Sequence, residues 1–430
     1  MNVSFYTLGC KVNQYETQAM RCLLEQNGHT TDDYQPGAGR NCDAIVVNSC
    51  TVTAESERKL RQILRRCRRE NPSAILVLTG CMPQAFPDKA ATMAEVDILL
   101  GNAERNALPK HLASYVEHRQ RIVDISAHTS NYEVMQIDSF VGRTRAFVKI
   151  QDGCNRFCSY CIIPYARGRV RSRDPEDIRR ELSLLAAHGY KEVVLVGINL
   201  TAYGQDIGLT IADAVDAACS VPGICRIRLG SLEPDYMTDD ILERLSAQPK
   251  LCPQFHVALQ SGCNATLRRM NRHYTTEEFD TLCTRLRRLF PGCALTTDVM
   301  VGFPGESEEE FAASLDFVRR IAFSKVHVFA YSRRPGTVAD RMPNQLTVVE
   351  KTDRSRKMIA ACKQTAVDYA SDYIGRTVDV LLETPLDNGI TEGHTDTYLT
   401  VRARTDKTSG DMVRVLITAA DEDTLVGEEI

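Results

Sequence analysis

The chain has 430 residues, 43% of them hydrophobic and 25% charged, and a formal net charge of −4. These proportions exclude disordered and fibrous classes and argue against a generic nucleic-acid coat; the length suggests about three domains. No run of about 18 apolar residues occurs, and the start, Met1 to Phe5, has neither a basic segment nor a long apolar stretch. Neither a membrane span nor a signal peptide is therefore expected. The 16 cysteines then read as metal ligands or core thiols rather than disulfides, and a cytoplasmic location follows.

Residues 3–8 have a strand pattern and run into Gly9-Cys10. A helix follows, with Tyr15, Ala19, Cys22 and Leu23 on one stripe and Gly28 as its C-cap. Residues 43–47 are a second strand, ending near Asn48-Ser49-Cys50. A basic helix over 54–70 carries Arg58, Lys59, Arg61, Arg65, Arg66, Arg68 and Arg69 and stops at Asn71-Pro72. It reads either as a phosphate-binding stripe or as a solvated face. Residues 74–78 and 96–100 are further strands, the first followed by Thr79-Gly80-Cys81. Strands alternating with helices indicate a parallel α/β sheet, here over residues 1–118. Residues 102–143 read as that unit's last helix, a strand and a crossover.

Cys10, Cys50 and Cys81 each fall within about three residues of a strand's carboxyl end, the edge where open parallel sheets bind ligands. The topology thus gathers three thiols distant in sequence. They suit a metal cluster with one ligand position open, or else are small buried core residues.

From residue 144 the alternation restarts. Strand candidates are 146–150, 192–196, 226–229, 255–259, 295–299 and 325–329, with helices such as 177–187 and 276–289 between them. Six strand–helix units suggest a partial (β/α)6 barrel over 144–371, with function at the carboxyl ends of its strands. Directly after the first strand stands Cys154-Asn155-Arg156-Phe157-Cys158-Ser159-Tyr160-Cys161. Chance would supply about 0.02 such cysteine triplets in a chain of this composition. Thiolate is the usual ligand of iron–sulfur iron, and three ligands leave one iron of a four-iron cluster open for chemistry. Zinc competes, but zinc sites favour a second close cysteine pair or two histidines, and none follows. Gly197 with Asn199, Ser231 with Glu233, Gln260 and Gly302 follow later strands at the same rim. A glycine there lets a ligand approach the backbone, Glu233 or Gln260 can hydrogen-bond a ribose, and Arg272 can pair with a carboxylate. Arg167, Arg169, Arg171 and Arg173 form a second basic run, and Arg268, Arg269 and Arg272 a third.

A helix over about 348–372 closes the barrel. From Gly375 the pattern changes to short strands at 377–383, 398–403, 412–418 and 424–426, a small antiparallel barrel over 373–430 with an acidic tail.

The Cys154–Cys161 loop, with aromatic Tyr160 before its last cysteine, resembles the radical S-adenosylmethionine (radical SAM) signature. Thr7-Leu8-Gly9-Cys10-Lys11-Val12-Asn13, Val47-Asn48-Ser49-Cys50 and Thr79-Gly80-Cys81-Met82-Pro83-Gln84 resemble the amino-terminal domain of the methylthiotransferases. Leu259-Gln260-Ser261-Gly262, Arg269-Met270-Asn271-Arg272 and Thr297 to Glu306 match motifs of that family in order. Two departures are Ile198, where related branches often carry Gln, and Cys263-Asn264. Gly375-Arg376, Gly393-His394-Thr395-Asp396 and the strand after them resemble a TRAM domain, a small RNA-binding barrel. The opening Gly9-Cys10-Lys11-Val12-Asn13 is similar to the branch that modifies N6-threonylcarbamoyladenosine in tRNA.

The resemblance implies two 4Fe-4S clusters, on Cys154, Cys158 and Cys161 and on Cys10, Cys50 and Cys81. The first, with SAM on its open iron, makes a 5′-deoxyadenosyl radical; the second presents sulfur, and a second SAM supplies the methyl group. Tyr160, Gly197, Asn199, Ser231, Glu233, Gln260, Arg272 and Gly302 are the expected cofactor-side residues. The implied substrate is the adenosine at position 37, next to the anticodon, in a tRNA anticodon arm held by helix 58–69, Arg167–Arg173 and the last barrel. A reductant protein supplies electrons, and no DNA or membrane partner is expected. Sister enzymes acting on isopentenyladenosine tRNA or on a ribosomal-protein aspartate are the alternatives, and a non-catalytic metal-cluster RNA-binding protein is the alternative of another class.

Overall fold

The computed structural model describes residues 1–37 and 42–430. The chain begins β1 (Asn2–Thr7), α1 (Lys11–Gln26), β2 (Thr30–Asp33), β3 (Ala44–Ser49), α2 (Ala54–Glu70), β4 (Ile75–Gly80), α3 (Cys81–Ala85), α4 (Pro87–Ala91), β5 (Ile98–Leu100), α5 (Leu108–His118) and β6 (Ile122–Asp124). The strands form one parallel sheet in the order β2-β1-β3-β4-β5-β6. All of β3 and β4 is buried, which is why both read as unbroken apolar runs. Polar edge strand β2, Thr-Thr-Asp-Asp, has no alternation to betray it and was not expected from sequence. The Thr53 side chain caps α2 by accepting from the Ser56 backbone N–H at 3.1 Å.

The second part comprises β7 (Arg145–Lys149), β8 (Gln151–Asp152), α6 (Ile163–Arg167), β9 (Arg171–Ser172), α7 (Pro175–Ala187), β10 (Glu192–Val196), α8 (Ile211–Cys219), β11 (Arg226–Leu229), β12 (Ser231–Leu232), α9 (Asp239–Ser246), β13 (Gln254–Val257), α10 (Asn264–Arg269), α11 (Thr276–Leu289), β14 (Ala294–Val301), α12 (Glu308–Ile321), β15 (Lys325–Ala330) and α13 (Val348–Ser371). Strands β7, β10 and β11 pair in parallel, as do β12 to β15, while β8 and β9 form an antiparallel ribbon. Strand β11 is the expected strand at 226–229, and β12 is a short addition beyond Gly230, so the six expected positions are all present. The barrel is open between β7 and β15, and Lys325, His327 and Phe329 on β15 are exposed. Capping boxes start α11, α12 and α13, with Thr275, Ser307 and Thr347 answered by Glu278, Glu310 and Glu350.

The chain ends in β16 (Thr377–Pro385), β17 (Ile390–Thr395), β18 (Thr400–Arg404), β19 (Met412–Asp421) and β20 (Thr424–Glu429), a closed barrel in the order β16-β17-β18-β20-β19. The sequence pattern shows four of these strands. Strand β17 hides behind Gly393, where a Cβ would lie 2.2 Å from the Leu381 carbonyl oxygen of the paired strand. The tip after β17 docks on the amino-terminal end of the partial barrel. Arg226 donates to the His394 carbonyl at 3.2 Å, and Arg228 to those of Asp396 and Thr395 at 2.7 and 3.1 Å. Among the described residues no helix is long and apolar enough to cross a membrane.

Candidate active site

Two cysteine triads meet at the junction of the first sheet and the partial barrel. Cys10 caps the start of α1, Cys50 follows β3 and Cys81 opens α3 directly after β4. Two glycines let these turns converge. At Gly80, φ +100°, a Cβ would meet the Ser49 carbonyl at 2.4 Å, and at Gly9 it would approach Asn13 at 2.8 Å and the Cys50 Cβ at 3.2 Å. Asn13 and Asn48 brace the two ends. The Asn13 side chain donates to Asn48 Oδ1 at 3.1 Å and to the Ser49 carbonyl at 3.2 Å, and Asn48 Nδ2 donates back to the Asn13 carbonyl at 3.0 Å. Cys10 Sγ donates to Asn13 Oδ1 at 3.2 Å.

The second triad lies in the loop after β8. Gly153, φ +75°, starts it where a Cβ would stand 1.8 Å from the Arg169 carbonyl oxygen. The Ser159 N–H and hydroxyl donate to the carbonyls of Met270 and Arg269 at 3.0 and 2.8 Å, and Asn271 donates to the Phe157 carbonyl at 3.1 Å. The segment after α10 therefore holds the loop's shape. Arg272 Nη1 lies 3.3 Å from Cys158 Sγ, and its guanidinium pairs with Glu233. Asn199 Nδ2 is 3.7 Å from Cys154 Sγ, and the Asn199 N–H donates to Gln151 Oε1 at 2.8 Å. The Tyr160 ring stands edge-on to Phe303, next to Gly302, at 6.4 Å. Gly197, Ser231, Gln260 and Gly302 follow or begin strands at the same rim. No side-chain hydrogen bond among the described residues ties Ser231 or Gln260 to the thiols.

Between the triads runs a buried ionic ridge that sequence reasoning missed. Arg167 donates to Glu16 at 2.7 and 3.0 Å, to Asp152 at 3.2 Å and to Cys81 Sγ at 3.2 Å. Lys149 reaches Glu16 at 2.8 Å and Asp152 at 2.7 Å; Arg105 reaches Glu16 at 3.1 Å and Glu133 at 2.8 Å; Arg171 reaches Asp152 at 3.5 Å. Four cations meet three carboxylates, leaving one positive charge in excess beside Cys81.

The thiols fit a cationic cluster. Burial pushes the Cys10 thiol up, and burial with the neighbouring Cys81 thiol pushes Cys50 to about 11. Burial with Cys158 pushes Cys161 to about 12, and burial also raises Cys154. Thiolates crowded together need positive charge beside them, and cluster iron would supply it. Among the described residues no three His, Cys, Asp or Glu side chains converge on a single ion. Zinc would need sulfurs about 3.8 Å apart, whereas a four-iron cube carries its thiolates on separate irons.

Comparison with known proteins agrees. The model of the radical SAM superfamily matches residues 148–318, and that of an uncharacterized family, UPF0004, matches residues 2–101. The threonylcarbamoyladenosine tRNA methylthiotransferase MtaB of Bacillus subtilis is 39% identical, over 97% of this chain and 94% of its own. The chain belongs to the radical SAM tRNA methylthiotransferases. A second member, the tRNA-2-methylthio-N(6)-dimethylallyladenosine synthase of Pelotomaculum thermopropionicum, is 35% identical over 89% of this chain and 86% of its own. The radical SAM methyltransferase TsrM of Kitasatospora setae, solved with tryptophan and a SAM analogue, shares the fold: TM-score 0.59 at 16% identity, covering 79% of this chain and 75% of that one.

In this radical SAM enzyme, SAM and an iron–sulfur cluster are the cofactors. Two expectations about its RNA contacts change. Arg167, Arg171 and Arg173 are buried ion-pair residues rather than a phosphate stripe; of that run only Arg169 is exposed. On α2, acids already answer Arg58, Lys59, Arg61, Arg65, Arg66 and Arg68, leaving Arg69 without an ion pair among the described residues. The i, i+3 and i, i+4 acids within α2 were legible in the sequence; Glu95 and Asp97, which hold Arg65 and Arg68, come from outside the helix.

Proposed function

We propose that this chain converts N6-threonylcarbamoyladenosine at tRNA position 37 to its 2-methylthio derivative, with two 4Fe-4S clusters and SAM. The observation that carries the reading is the meeting of two cysteine triads across one junction, with Arg167 against one thiol and Arg272 against the other triad. The adenine C2–H is neither acidic nor hydridic enough for side-chain acid–base work, so the bound cofactors supply one-electron and sulfur chemistry there. The chain's own residues do the holding. Cys154, Cys158 and Cys161 hold one cluster and Cys10, Cys50 and Cys81 the other. Arg272, Glu233 and Asn199 line the mouth of the Cys154, Cys158 and Cys161 triad and orient SAM, with Tyr160 packed behind. The greater identity to the threonylcarbamoyladenosine enzyme and the Gly9-Cys10-Lys11-Val12-Asn13 opening favour this substrate over isopentenyladenosine.

Residues 1–118, 144–371 and 373–430 act as sulfur-presenting, radical-generating and RNA-holding units, the last as a TRAM-like barrel. An external one-electron reductant and a cytoplasmic setting complete the reading. Because His394 to Asp396 dock inside the enzyme, the candidate RNA-facing cations of that barrel are Arg376, Arg404, Lys407 and Arg414, exposed and without ion pairs among the described residues. The deciding experiment is Cys50→Ala after anaerobic reconstitution. Iron should fall from about eight to about four per chain. SAM cleavage should persist and methylthiolation of a threonylcarbamoyladenosine stem-loop should cease. Loss of both activities in the folded variant would refute the division of labour.

A further inference from the structure

The open side of the partial barrel holds a cation that no carboxylate among the described residues answers. Lys11 follows Cys10 and opens α1. Its Nζ stands 5.9 Å from the centre of the Phe147 ring on β7. The Arg143 guanidinium lies 5.1 Å from the same ring. Tyr398, brought in by the tip of the last barrel, is covered by Arg145 and Arg228, each 4.8 Å from its ring centre. The facing wall carries His256 and His327, their rings 5.8 Å apart. Lys11 lies within electrostatic range of Tyr398, Arg143, Arg145 and Arg228 on one side and of His327 on the other. It is an exposed side chain on the open side of the partial barrel.

The pairing of these groups is uneven. Glu383 answers Arg145 at 3.0 Å, Glu192 answers Arg228 at 2.9 Å, and Asp298 is held by His256 at 3.3 Å. Arg143 has only the neutral Gln14 Oε1, at 2.7 Å. Lys11 has no hydrogen bond or ion pair among the described residues. Two unanswered cations beside an aromatic ring, in an opening flanked by further cations, make a focused positive field that favours an anion. Lys11 directly follows Cys10 in the chain, which ties an anion on its ammonium to the segment that carries the Cys10, Cys50 and Cys81 triad.

We propose that Lys11, backed by Arg143, receives the free carboxylate of the threonylcarbamoyl group on the target adenine, and thereby distinguishes this substrate from adenosines with uncharged N6 substituents. This deepens the reading above and rests on it. The ammonium reads the charge, the Phe147 ring keeps water from one side of the pair, and the carboxylate fixes the base relative to Cys10.

The test uses the reconstituted holoenzyme and three anticodon stem-loops: one with threonylcarbamoyladenosine, one with its carboxylate methyl ester, and one with unmodified adenosine. Binding is read by fluorescence anisotropy. The wild type should bind the acid about 10- to 100-fold more tightly than the ester, the range of one charge-assisted pair. In Lys11→Met that preference should fall to within about threefold, while Lys11→Arg, which keeps the charge, should retain most of it. An undiminished preference for the acid in Lys11→Met would overturn the assignment, as would equal losses in the Met and Arg variants. A wild type that neither binds nor converts the threonylcarbamoyl loop better than the unmodified one would instead overturn the substrate reading and the assignment with it.

Discussion

Arg167→Met removes the guanidinium at the centre of the junction and leaves an apolar stem. The lost contacts are those to Glu16 at 2.7 and 3.0 Å, to Asp152 at 3.2 Å and to Cys81 Sγ at 3.2 Å. Neither carboxylate is left bare: Glu16 keeps Lys149 at 2.8 Å and Arg105 at 3.1 Å, and Asp152 keeps Lys149 at 2.7 Å. Breaking a buried pair costs about 3–5 kcal/mol, and the surviving partners place this variant near 3 kcal/mol. At about 2–4 °C per kcal/mol, the melting temperature should drop by roughly 6–12 °C. Burial alone would raise the Glu16 carboxyl, but Arg105, Arg167 and Lys149 outweigh it and hold it below the usual range. The stability it brings is present above the unfolded value, about 4.3, and is lost as pH falls through the lower folded value. The gap between wild type and variant should therefore shrink in acid. Circular dichroism melts of the cluster-free chain at pH 7.5 and at about pH 3 would read both effects. A drop of less than about 2 °C at pH 7.5 would refute the stabilising role assigned to this ridge.

Gly153→Ala should cost about four irons per chain and abolish SAM cleavage, because a Cβ there overlaps the Arg169 carbonyl at 1.8 Å; unchanged iron would show that the loop yields. Arg404→Glu with Arg414→Glu should weaken tRNA binding about tenfold or more and lower the salt slope by about two, with SAM cleavage unaffected; an unchanged salt slope would make the last barrel a structural cap. Burial opposes ionisation of Glu383, yet His394 and Arg145 hold its carboxyl below the usual range, so its contribution to docking is present above about pH 4.3 and is lost on acidification. Proteolysis between α13 and β16 should accordingly rise from about pH 5 to pH 3 in wild type and depend less on pH in Glu383→Gln; the same pH dependence in both would rule out this pair as the latch.

Local features of the chain were legible for simple reasons. Strands β3, β4 and β10 are short apolar runs between turn residues, and helices α2, α11 and α13 announce their ends with capping threonines, Asn-Pro or a capping box. The triplet Cys154, Cys158 and Cys161 is local, so its spacing alone displays it. Strands β2 and β17 escaped because one is polar throughout and the other is defined by a glycine whose role is cross-strand approach. The basic runs misled because composition counts charges and cannot see their partners. Arg167, Arg171 and Arg173 alternate like an exposed stripe, yet their counter-ions Glu16, Asp152 and Glu181 come from three separate segments.

Sequence alone settled the alternation of strands and helices, the three-cysteine loop and the placing of Cys10, Cys50 and Cys81 at strand ends, because propensity, capping and side-chain periodicity act within a few residues. Only the tertiary structure decided that one triad lies across a ridge from the other, that Arg167 and Arg272 each lean on a thiol, and that Lys11 stands unanswered in the barrel's open side. Those facts depend on packing between segments 86 or more residues apart, where burial, and not residue type, sets what a charge is worth.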